Sequence, residues 1–143
     1  MFRSPQQRAK RFLRIAQWYV GADCYGAAIQ AMDQAITYTP TAELYDYRGI
    51  VLAIASRNEE AVASFGKALE LAATNQERAS ISFHRGVLYA REHGYDQAVL
   101  DLRRACRLNP GDPTYREALA QLQRECARSS DDTDPVVSPN PLT

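Results

Sequence analysis

Three stretches of this sequence repeat one pattern of small and large residues at the same offsets. From Gly86, Ala98 follows twelve residues later, and then Leu102, Ala105 and Pro110. The same offsets from Gly49 reach Ala61, Phe65, Ala68 and Ala73, and from Ala16 they reach Ala28, Met32, Ala35 and Pro40. Tyr19, Leu52 and Tyr89 each stand three residues after their anchor. The anchors are 33 and 37 residues apart. A period of this size marks stacked supersecondary units, each unable to bury its apolar face alone.

Each unit reads as two helices. In 78–91, Ile81, Val87 and Leu88 recur at helical spacing, and His93-Gly94-Tyr95 breaks the run. A second helix then runs from about Asp96 to Leu108, with Val99, Leu102 and Cys106 on one stripe, until Asn109-Pro110-Gly111-Asp112 ends it. Gly49 and Gly86 sit inside predicted helices, where glycine costs about 1 kcal/mol relative to alanine. That cost at the same repeat position twice points to a close helix crossing, small residue against large. The antiparallel register places Ile15, Arg48 and Arg85 opposite Ala31, Ser64 and Asp101, so an Arg85–Asp101 pair is expected in the third unit. About three extra residues near 72–77 predict a longer second helix or an irregular link. From 113 to about 127, Tyr115, Leu119, Leu122 and Cys126 form one narrow stripe, as a terminal capping helix requires.

Composition agrees. Of 143 residues, 45% are apolar, and Val, Ile and Thr give way to Ala, Gln, Arg and Leu, which argues against a β fold. The 17 basic and 17 acidic residues cancel, so the chain as a whole exerts no pull on nucleic acid or acidic membranes. Three cysteines without a C-x-x-C suit a reducing compartment, no apolar stretch is long enough to span a bilayer, and the basic N-terminus precedes no apolar core of an export signal. The expectations are a cytoplasmic location and no membrane insertion. No nucleotide-binding or nucleophile-elbow motif occurs, and no His/Cys/carboxylate cluster has ligand spacing, so neither catalysis nor a cofactor is expected.

The text Arg85-Gly86-Val87-Leu88-Tyr89, then Tyr95-Asp96-Gln97-Ala98-Val99, Ala105 and Leu108-Asn109-Pro110 resembles the tetratricopeptide repeat. The resemblance covers roughly 9–112. Its departures are Ala16 for glycine, Met32 for the aromatic, and a second unit without its closing proline. It implies an all-α fold: a right-handed α-solenoid of three helix-turn-helix units plus a C-terminal capping helix. The divisions expected are a basic segment over 1–8, repeats over 9–41, 42–75 and 79–112, a cap over 113–128, and a disordered tail over 129–143.

The resemblance also implies that the first helix of each unit lines a concave binding face. Some family members grip the acidic C-termini of chaperones there with a clamp of Lys, Asn, Asn, Lys and Arg. The aligned positions here are Leu13, Gln17, Tyr47, Ser80 and His84, none with the clamp residue, so chaperone tails are disfavoured as partners. The expected groove comprises Leu13, Arg14, Gln17, Tyr47, Ile50, Ile54, Phe83, His84, Val87 and Arg91, part of which can equally serve as core between repeats. The expected function is a non-catalytic adaptor, scaffold or assembly factor that takes an apolar peptide or helix in this groove. The alternative is a self-associating subunit that forms a homodimer through groove or end repeat. Nucleic-acid binding through Arg103, Arg104 and Arg107 with the basic N-terminus is disfavoured, because the net charge is zero and no aromatic residues are interleaved with them.

Overall fold

A computed structural model of the protein describes residues 3–132. Among them lie seven helices and no strand: α1 (Pro5–Gly21), α2 (Tyr25–Tyr38), α3 (Ala42–Ile54), α4 (Asn58–Leu71), α5 (Asn75–Arg91), α6 (Tyr95–Leu108) and α7 (Pro113–Asp131). Helices pack in consecutive antiparallel pairs, α1 on α2, α3 on α4 and α5 on α6. The pairs stack through α2 on α3, α4 on α5 and α3 on α5, and α7 lies on α6. The result is an α-solenoid.

Each pair starts and turns by the same local chemistry. Ser4, Thr41 and Thr74 accept the backbone N–H groups of Gln7, Leu44 and Glu77 at the starts of α1, α3 and α5. These caps satisfy donors that a helix start leaves open. Asp112 caps α7 ahead of Pro113 in the same way. Inside each pair the turn places one residue, Asp23, Ser56 or His93, at a φ near +60°. The next residue's N–H (Cys24, Arg57, Gly94) donates back to Tyr19, Leu52 or Tyr89 at 2.8–2.9 Å. This is a Schellman ending, repeated three times without glycine at the left-handed position.

The residues at the repeat offsets form the core. Ala28, Ala61 and Ala98 are fully buried, as are Ala35, Ala68 and Ala105, and Met32, Phe65 and Leu102 fill the space between them. Ala16, Gly49 and Gly86 are buried at the crossings. The two glycines are not equally tight. A Cβ on Gly86 would lie 3.2 Å from Asp101 and Leu102 side-chain atoms, whereas one on Gly49 would lie 2.6 Å from the Phe65 ring. Gly66, in mid-α4, faces open space. Gly66→Ala should therefore stabilise the protein by about 0.5–1 kcal/mol through helix propensity alone, read as a higher urea midpoint at unchanged m-value.

Several expectations are corrected. The extra residues near 72–77 do not lengthen α4, which has 14 residues like α2 and α6. They extend α5 at its N-terminus, so that it starts at Asn75 rather than 78. Helix α1 begins at Pro5, inside the segment set apart as 1–8, and α7 runs on through Ser129 and Ser130 to Asp131. The remainder of the expected disordered tail, 133–143, lies outside the described residues. Arg85 and Asp101 do pair, with both guanidinium–carboxylate contacts at 2.8–2.9 Å. Arg48 does not take Ser64, however. It reaches back to Asp33 of the preceding unit at 2.7 Å, while the Ser64 hydroxyl donates to the Tyr45 carbonyl.

Candidate functional site

The first helices of units two and three, α3 and α5, run side by side and leave a cleft of about 200 Å³ between them. Ile50, Ala53 and Ile54 line it from α3, Phe83, His84, Val87, Leu88 and Arg91 from α5, and the Phe65 ring from beneath. Six of the ten candidate groove residues thus meet around one space. The other four do not line it. Leu13 and Tyr47 pack against the core of the first unit, and Arg14 and Gln17 are exposed on α1. Burial holds the Tyr47 phenol above its ordinary pKa, so it stays neutral at physiological pH.

The lining residues divide by what else they do. Ile54 and Val87 are 47% and 40% exposed, so much of their apolar surface faces the open cleft. Phe83 is half-buried, its ring 5.2 Å from that of Tyr115, and it also joins the core under α7. Arg91 donates from Nη2 to the Ala53 carbonyl at 3.1 Å. It thereby neutralises the carbonyl end of α3. His84 Nδ1 lies 2.8 Å from Asp46 Oδ1, with the ring between those of Phe65 and Phe83.

Asp46 opens onto a second and larger cleft, of about 490 Å³, nearer the N-terminal ends of α3 and α5. Its lining includes Glu43 and Asp46 from α3, Thr74 before α5, and Gln76, Glu77 and Ser80 from α5. Three carboxylates and no lysine or arginine line it. Sequence reasoning missed this cleft, because Glu43, Asp46 and Glu77 are spread over two repeats and converge only once those repeats are aligned. Among the described residues, no group of His, Cys, Asp and Glu is arranged to hold a metal ion, and no helix is long and apolar enough to cross a membrane.

No protein-family model matches the sequence. The chain is 33% identical over 97 residues to a tetratricopeptide repeat protein 36 homolog of Drosophila melanogaster, covering 66% of this chain and 51% of the relative. It is 31% identical over 100 residues to the homolog of Drosophila pseudoobscura pseudoobscura, covering 68% and 53%. The chain therefore spans about half the length of these relatives. Among solved structures, the first TPR domain of Spaghetti (RPAP3), bound to the HSP90 peptide SRMEEVD, superposes with a TM-score of 0.75 at 17% identity, covering 89% of this chain and 99% of that one. The second TPR domain of human RPAP3, in complex with the HSP70 peptide SGPTIEEVD, gives 0.72 at 18% identity, covering 84% and 98%. Two domains of the same fold thus hold peptides of HSP90 and HSP70, which weighs against the expectation that disfavoured such tails.

Proposed function

Because the chain belongs to the tetratricopeptide-repeat family, we propose that it is a non-catalytic protein-interaction module, an adaptor or assembly factor that holds an apolar segment of a partner protein in the cleft between α3 and α5. The observation that carries this reading is the exposure of Ile54 and Val87 on the two walls of that cleft. Exposed apolar residues clustered around a concavity favour a bound segment over solvent. The peptide complexes of the RPAP3 domains support it by analogy of fold.

Val87 gives a cleaner test than Phe83, whose loss would also loosen α7. Val87→Asp should weaken partner binding by about 2 kcal/mol or more while the helical signal and urea midpoint stay near wild type. The control is Leu100→Asp, at a residue that is 64% exposed and lies outside the cleft. Equal loss of binding from both variants would count against the cleft.

A second reading, a homodimer through the end repeat, is favoured by Trp18, which is 69% exposed on α1. Light scattering should then show mass rising with concentration in the wild type and not in Trp18→Ala.

A further inference from the structure

The two clefts between α3 and α5 follow one another along the two helices. Asp46 lines the acidic one and His84 the apolar one, and these two side chains hydrogen-bond at 2.8 Å across the boundary. Taken end to end along α3 and α5, they form a trough with two unlike ends. At one end are the apolar faces of Ile50, Ile54 and Val87, and at the other the carboxylates of Glu43, Asp46 and Glu77.

We propose that the occupant of this trough is an extended segment of a partner protein that carries a large apolar side chain for the first end and a lysine or arginine for the second. This rests on the reading of the apolar cleft as the binding site and adds the partner's charge and spacing. Among the described residues no lysine or arginine pairs with Glu43, Asp46 or Glu77. The Glu77 carboxylate takes one backbone N–H, that of Ala73, at 3.1 Å, and Asp46 takes His84. Each has acceptor capacity left over, since a carboxylate offers about four lone-pair sites. Glu43 and Glu77 lie in the first turns of α3 and α5, where helix dipoles favour negative charge. Asp46 lies beyond the first turn, so that role does not account for it. A cationic side chain entering between the three would gain charge-assisted hydrogen bonds in a partly enclosed space.

The helix sets the spacing. Seven residues separate Glu43 from Ile50, about 10 Å along α3 at 1.5 Å per residue. An extended chain covers that in about three residues. The recognised segment therefore has its apolar anchor and its cation three or four positions apart.

Selection of random peptides displayed on phage against the full chain tests this. The expected consensus is a large apolar residue with Lys or Arg three or four positions away. Selection against Glu43→Gln should keep the apolar position and lose the basic one, and Val87→Asp should select neither. In direct binding of a selected peptide, replacing its lysine with norleucine should weaken the wild-type complex about fivefold and the Glu43→Gln complex much less. An apolar consensus that Val87→Asp abolishes, but with no basic position or with an acidic one, would overturn this inference and leave the apolar cleft standing. Peptides insensitive to Val87→Asp would overturn both.

Discussion

Arg85→Met is expected to destabilise the protein by about 3 kcal/mol. Its partner Asp101 is 3% exposed, inside the crossing of α5 and α6. Both oxygens of that carboxylate are held by Arg85 Nε and Nη2. The Asp101 carboxylate raises the Arg85 pKa, although burial works in the opposite direction. Arg104 approaches the same carboxylate only to 3.8 Å, with about half of its side chain exposed. Without Arg85, a buried anion would keep little compensation, and breaking one side of such a pair costs far more than the intact pair contributes. The double variant Arg85→Met, Asp101→Leu should recover most of the loss, because neither charge then needs solvation. Urea unfolding of both variants checks this, and equal losses in the single and double variants would show that packing, not charge, is what Arg85 supplies.

The second large effect is expected at Gly49. Gly49→Ala adds one methyl group 2.6–2.9 Å from three carbons of the Phe65 ring. That ring is 1% exposed and packed among α3, α4 and α5, so it has nowhere to go. Overpacking of this kind costs about 1–3 kcal/mol, which exceeds the gain of about 1 kcal/mol from replacing a helical glycine. A net loss of about 1–2 kcal/mol is expected, against a gain for the chemically identical change at Gly66. The sign difference is the informative result. If both substitutions stabilise, α3 and α4 are not held at the separation described.

What the sequence made legible follows from where its information is local. Offsets within a unit placed Ala28, Phe65, Leu102 and Gly49 in the core, because a small–large crossing leaves a pattern that repeats with the unit. The Arg85–Asp101 pair was readable for the same reason, since antiparallel register inside one helix pair fixes who faces whom. Arg48 was misassigned because its partner lies in the preceding unit, and the offset between units depends on packing that no single repeat encodes. The left-handed backbone of the turn residues Asp23, Ser56 and His93 is not legible from residue type, because none is glycine. They stand at corresponding positions of the three units, which was the available signal. In the candidate site, Ile50, Ile54, Phe83, His84, Val87 and Arg91 follow from the resemblance, which puts the first helix of each unit on the binding face, whereas Ala53 and Leu88 were not expected and Tyr47 packs in the core instead. Leu13, Arg14 and Gln17 sit on α1, one unit away, and only the stacking of units decides that they are left out. The bond from Arg91 to the Ala53 carbonyl was not legible, because a side chain bonded to a backbone carbonyl leaves no trace in composition.

The most direct measurement places a photo-crosslinking amino acid at position 54 or 87 in the cleft, and at position 18 or 100 outside it, in the 143-residue chain incubated with a peptide selected on the wild type. Adducts should form from positions 54 and 87, and mapping should find them at the apolar anchor of the peptide. Adducts that form only from positions 18 or 100, or equally from all four, would contradict a binding site between α3 and α5.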